Sequence, residues 1–168
     1  MDTSDTLAHL EDVSSVVLRI LRAHRVQFAD IDARMVNYHG FAKVNLADVL
    51  HGDLIEAAMF APNLQVEFVR VSGDQSQEVH VHRVASAVAW CLGPMEGFPP
   101  PSGALSFGGE GWAEFTDGMK LRVPAGLPHG FTVRPGGLVY FLSVQSPPIV
   151  SFDGRDDYHR VAAPPAPR

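Results

Sequence analysis

Two segments of the 168-residue chain concentrate side chains that bind metal ions. His80-Val81-His82 sets two imidazoles two residues apart in a stretch of strand character, and because side chains alternate along a strand both rings face the same way. The second segment runs from Gly118 through Pro124 and Gly126 to His129. It reads as a strand, a tight turn and a return strand that begins at His129. Three neutral imidazoles converging on one point form a good site for a divalent transition metal and leave coordination positions open for water, substrate or dioxygen. Glu78 shares the strand parity of His80 and His82 and is a candidate base or further ligand, with a place at the rim as the alternative.

The elements that must position these residues follow from hydropathy patterning. Apolar residues at Leu10, Val13, Val17, Ile20 and Leu21 predict a helix over Leu7–Arg25, with Asp2 and Asp5 near its start. Leu46, Val49, Leu50, Leu54 and Ala57 predict a second helix with Asn45 as its N-cap, and Val26–Val44 between them stays unassigned. After Pro62 the pattern becomes short strands: Leu64–Val71, His80–Val84, Ala87–Leu92, Gly111–Phe115, Met119–Val123, Gly130–Val133 and Leu138–Val144, punctuated by Gly and Pro. No helix interrupts them, which predicts a mainly β sandwich or jelly roll rather than a parallel sheet. The expected organisation is an N-terminal helical extension over 1–62, a barrel over 63–150 and a tail over 151–168. The Pro- and Gly-rich stretch Gly93–Gly111 is expected to be a loop over the cavity mouth.

Parity extends the reading to the cavity wall. If His80, His82 and Ser86 face inward, so do Val84, Val88 and Trp90, and after His129 the rule points Phe131 and Val133 inward. On the last strand, Tyr140, Leu142 and Val144 compete with Phe141, Ser143 and Gln145, and parity does not choose. Trp90, Phe107, Trp112, Phe131 and Tyr140 are the candidate substrate-binding residues. So apolar a cavity suits a hydrophobic, aromatic or polyketide-like substrate, unless Arg70, Arg122 or Arg134 reaches it. Cys91 reads as a buried small hydrophobe, His9, His24, His51 and His159 as solvated or capping residues, and His39 stays open.

Composition narrows the function classes. Hydrophobic residues make up 46% of the chain, enough for one globular core, and 13 Lys+Arg against 19 Asp+Glu leave a net charge of −6 with no basic run. That balance argues against a nucleic-acid partner. A single cysteine, no apolar stretch of bilayer length and no signal-peptide core predict a soluble, cytoplasmic protein with no membrane partner. A homodimer is the default for a protein with exposed sheet edges.

The two histidine segments together resemble the cupin superfamily, whose motifs are G-x5-H-x-H-x(3,4)-E-x6-G and G-x5-P-x-G-x2-H-x3-N. Gly118, Pro124, Gly126 and His129 stand at the spaced positions of the second motif, with Val133 in place of the terminal Asn. In the first, His80, His82 and Gly93 fit, Gly73 lies one residue upstream of its place, and Ser86 replaces the glutamate. The resemblance covers roughly Gln65 to Val144 and implies a double-stranded β-helix. It implies a site of His80, His82 and His129 alone, with Ser86 a supporting or catalytic hydroxyl and Glu78 a candidate acid–base group. By the same resemblance the activity is that of a metal-dependent enzyme, a non-haem Fe(II) dioxygenase first, and a Zn(II), Ni(II) or Mn(II) cyclase, isomerase or lyase as the alternative. Thiol dioxygenases carry a Ser-x-His-x-Tyr relay where this chain has Leu127 and Phe131, which disfavours that subclass. A non-catalytic small-molecule-binding cupin is the other class, and the absence of a helix-turn-helix pattern counts against a transcriptional sensor.

Overall fold

The computed structural model describes residues 3–24, 28–49, 63–73, 78–107, 112–151 and 153–162. Its strands are β1 (Val36–Tyr38), β2 (Phe41–Asn45), β3 (Gln65–Ser72), β4 (His80–Val81), β5 (Ser86–Leu92), β6 (Gly103–Phe107), β7 (Trp112–Glu114), β8 (Lys120–Val123), β9 (His129–Val133), β10 (Leu138–Ser146) and β11 (His159–Arg160). They form two antiparallel sheets, one of six strands in the order β1-β2-β3-β10-β5-β8 and one of five in the order β11-β4-β9-β6-β7. Of the sandwich and jelly roll that the strand pattern allows, the jelly roll, the one the family resemblance implies, is observed. The helices are α1 (Thr3–His24), α2 (Phe28–Asp32) and α3 (Leu46–Val49).

Both faces of the six-stranded sheet are apolar because each has a partner. Outward, Val66 and Phe68 of β3, Val88 and Leu92 of β5, and Tyr140, Leu142 and Val144 of β10 pack against Leu7, Leu10, Val17, Leu18 and Leu21 of α1. Inward, Val69, Val71, Cys91, Val139 and Phe141 meet Leu105, Phe115 and Val133 inside the barrel. This is why β10 reads as a continuous apolar run instead of an alternation. The contact with α1 is also pinned by polar groups. Trp90 Nε1 donates to Ser14 Oγ at 2.8 Å, Lys120 and Arg122 both pair with Glu11, and Arg22 reaches the buried Glu96 at 2.6 Å.

Several expectations are corrected. The barrel does not start at residue 63: β1 and β2, from the unassigned 26–44 segment and Asn45, extend the six-stranded sheet to Val36. Nor is 151–168 only a tail, since β11 pairs with β4. The strand expected over His80–Val84 stops at Val81, because the Asp157 carboxylate accepts the N–H groups of Arg83, Val84 and Ala85 at 2.9, 2.8 and 2.8 Å and turns the backbone there. The Gly93–Gly111 stretch is not one loop: Pro94–Glu96 is a 3-10 turn and β6 is an integral strand paired with β9, while residues 108–111 lie outside the described residues. Of the second expected helix, Leu46–Val49 is seen, and Leu50, Leu54 and Ala57 lie outside the described residues, as does the tail beyond Ala162. Among the described residues no helix is long and apolar enough to cross a membrane.

Candidate metal centre

Register brings the two histidine segments together. His80 of β4 sits directly across from His129 of β9, and His82 is the first residue past β4. Gly130 allows the close approach, since a Cβ there would stand 2.7 Å from the Glu78 carbonyl oxygen. The turn before β9 is held to the first segment as well. Gly126, at φ +83 in the left-handed region that favours glycine, donates its N–H to the His82 carbonyl at 2.6 Å, and Ala125 N–H donates to Ser86 Oγ at 3.2 Å.

One ring nitrogen from each of His80, His82 and His129 lies within 4.8 Å of the other two, and all three residues are buried. The second nitrogen of each is taken. Nδ1 faces a backbone carbonyl in every case: Glu78 O at 3.4 Å for His80, Asp157 O at 2.8 Å for His82 and Leu127 O at 3.0 Å for His129. A carbonyl only accepts, so Nδ1 carries the proton and the lone pair is left on Nε2. Burial, reinforced by the neighbouring imidazoles, pushes the pKa of His80 down to about 2 and that of His129 to about 4. His82 is lowered too, chiefly by burial. Three imidazoles that stay neutral, with tautomers fixed by carbonyls, are the donor set a divalent transition metal requires.

The chain segment after β10 completes the surroundings. Besides supplying the Asp157 carbonyl, it stacks the Tyr158 ring on His80 at 4.1 Å and 21°. The Tyr158 hydroxyl donates to Glu78 Oε2 at 2.8 Å, and His39, at φ 47, stacks on the far face of Tyr158 while contacting Asp156 at 2.6 Å. Burial would raise the Asp157 carboxyl, but the three N–H groups of residues 83–85 hold it below the usual carboxylate range.

A cavity opens on the three histidines, walled by Phe41, Val69, Leu105, Leu121, Phe131 and Phe141, with Tyr38, Lys43, Glu67, Ser143 and Gln145 as its polar part. Of the sequence candidates, Phe131 lines it. Trp90 and Tyr140 do not: they are on the outer face of the sheet, Trp90 bonded to Ser14 and Tyr140 donating to Asp32 Oδ1 at 2.9 Å. Phe107 packs in the inner cluster without lining the cavity, and Trp112 sits half-buried on β7 at the sheet edge. The parity rule also fails at Val84, which is exposed, and at Val88, which faces α1, because the turn at 82–85 resets the alternation. Ala87 and Ala89 face inward instead. Val133 does point inward, and on β10 the inward set is Phe141, Ser143 and Gln145.

Ser86 locks the Ala125 turn and is not part of the cavity wall, and Glu78 is engaged by Tyr158 and by Arg160 at 2.8 Å, outside that wall. Arg70, Arg122 and Arg134 pair with Asp32, Glu11 and Glu114, also outside it. Burial pushes the Cys91 thiol up to about 12, as an inert buried hydrophobe requires. Lys43, Glu67, Asp157 and Tyr158 were missed, and Gln145 was named only within one of two alternative inward sets. For Glu67 and Gln145 the signal is present, polar residues at alternate positions of strongly apolar strands, whereas nothing local marks Asp157 or Tyr158.

No family model matches the chain, and no curated protein does. Solved structures do. The polyketide cyclase RemF from Streptomyces resistomycificus is 21% identical and superposes with a TM-score of 0.53 over 76% of this chain and 77% of its own. A protein with a double-stranded β-helix domain from Klebsiella pneumoniae is 14% identical, with a TM-score of 0.52 over 79% of this chain and 94% of that one. A cupin-2 domain from Rhodospirillum rubrum is 12% identical, at 0.51 over 76% and 74%. What the chain shares with them is the fold.

Proposed function

We propose that this chain, a protein of cupin fold, is a metal-dependent enzyme acting on a small, largely apolar organic substrate held inside the barrel. The observation that carries the reading is the trio of buried, neutral imidazoles with every Nδ1 engaged by a carbonyl. Among the described residues the cluster includes no carboxylate, so an ion held by these three neutral groups would keep its full positive charge and its open positions. Such a site favours a substrate that presents an anionic oxygen. Phe131, Phe141 and Leu105 pack the apolar body of that substrate and keep bulk water out.

Dioxygenation with Fe(II) is the first reading of the reaction, since bound iron would supply the one-electron chemistry that dioxygen needs. A Zn(II)-, Ni(II)- or Mn(II)-dependent cyclisation, isomerisation or lyase reaction is the second. It is supported by the polar Lys43–Glu67 pair on the cavity wall and by the fold likeness to a polyketide cyclase. The test is elemental analysis of protein purified without added metal, together with oxygen uptake on a panel of aromatic β-diketones. Iron with substrate-dependent uptake supports the first reading, and zinc with none supports the second. Wild-type protein that holds no metal under any loading condition refutes both.

A further inference from the structure

Across the cavity from the three histidines, the inner face of the six-stranded sheet carries a polar cluster that metal binding does not use. Lys43 Nζ lies 2.8 Å from Glu67 Oε1 and 4.0 Å from the centre of the Tyr38 ring. Glu67 Oε1 also accepts from Gln65 Nε2 at 3.1 Å, and Oε2 accepts from Gln145 Nε2 at 2.9 Å. The Glu67 side chain is 4% exposed and that of Lys43 12%. An ion pair this deep is not explained by stability, because well-packed apolar residues of the same volume would avoid its desolvation cost.

The two partners are unequally satisfied. Glu67 has three donors on its two oxygens, so its carboxylate is fully engaged and fixed in place. Lys43 is an ammonium with three N–H groups, and among the described residues it donates to one oxygen only. It lines the cavity that holds the histidines and also an adjoining cleft bounded by Asn45, Leu64, Pro148 and Ser151, so it stands where the two meet. Among the described residues no other Lys or Arg lines this cavity.

Resting on the reading of the cavity as the substrate site, we propose that Lys43 is the second anchor for substrate. Its unfilled N–H groups take a carboxylate, phenolate or enolate oxygen of an aromatic or conjugated molecule whose other oxygen function faces the histidines. Glu67, Gln145 and Tyr38 are positioning residues: Gln145 and Lys43 hold the carboxylate, and the carboxylate and the Tyr38 ring hold the ammonium. The substrate class narrows accordingly, from an apolar molecule to an apolar acid or enol with oxygen at both ends.

The probes are 4-fluorobenzoate and its neutral counterpart 4-fluorobenzamide, followed by fluorine NMR with the full chain as purified and after metal removal with EDTA. In the metal-free protein the wild type is expected to bind the acid about tenfold more tightly than the amide, as a hydrogen bond to a charged group predicts. Lys43→Met combined with Glu67→Gln, which removes both charges together, is expected to abolish that preference and leave the amide unchanged. Lys43→Gln alone should act alike, and Lys43→Arg should retain the preference. A wild type without acid preference overturns the proposal, and so does a folded, charge-free variant that keeps it. Metal content measured on the same samples separates the two ideas, because the metal-free arm reads Lys43 whether or not the histidines bind an ion.

Discussion

Replacing Asp157 tests whether the segment after β10 is part of the metal centre. Its carboxylate accepts three backbone N–H groups at 2.8–2.9 Å, and its carbonyl fixes the Nδ1 of His82 at 2.8 Å. Hydrogen bonds to a charged group contribute about 1.5–3 kcal/mol each in buried settings. The Asp157 side chain is 15% exposed and two of its three bonds go to exposed residues, Arg83 and Val84, with the third to buried Ala85, so roughly half the sum of the three applies, and Asp157→Ala is expected to cost about 2–4 kcal/mol. For a domain of this size that lowers the melting temperature by roughly 5–15 °C. The variant keeps a carbonyl at 157 but loses what holds it beside His82, so metal affinity should fall roughly 10–100-fold. Because the folded-state pKa of this carboxyl is depressed, its stabilisation is present above the unfolded value and is lost as pH falls through the folded one. The gap between wild type and Asp157→Asn should therefore close below about pH 4. Thermal melts across pH and metal titration with a chromophoric competitor read these effects. A melting temperature within 2 °C of wild type, with unchanged metal affinity, would refute the reasoning.

Single replacement of His80, His82 or His129 by Ala should reduce bound metal to about a tenth or less, measured by elemental analysis after dialysis. Ser86→Ala removes the acceptor for Ala125 N–H and is expected to cost about 1 kcal/mol in a denaturant melt while metal content stays intact; loss of metal would show that the hydroxyl does more than hold the turn. Leu10 is fully buried between α1 and the sheet, so Leu10→Ala should destabilise by about 2–5 kcal/mol, and a loss under 1 kcal/mol would mean that α1 is not a permanent cover.

The three clustered histidines were legible because their spacing encodes pairing: a period of two places His80 and His82, and a Pro-Gly turn delivers His129 to the facing strand. The jelly roll was legible for the same reason, from short strands separated by turn residues. The outer wall was misread at Val88 and Trp90 because the turn at 82–85 breaks the alternation carried forward from His82, and at Tyr140 because alternation says which residues share a face, not which face is inside, and α1 makes the outer face as apolar as the inner. The bend at 82–85 is caused by Asp157, more than seventy residues away, and no local pattern can announce such a contact. Lys43 was hidden differently, in a segment whose mixed signals come from strands with one face toward a partly polar cavity.

The pairing of β11 with β4 has a consequence for the order of events during synthesis. All three histidines are synthesised before residues 157–160 exist, yet the carbonyl that orients His82 and the ring that covers His80 come from those residues. Contacts this distant in sequence form late, after the loop-closure entropy of the intervening chain has been met. Until residues 157–160 dock, His82 lacks the carbonyl that orients it and His80 the ring that covers it, so the three imidazoles take their mutual arrangement only once β11 has paired with β4.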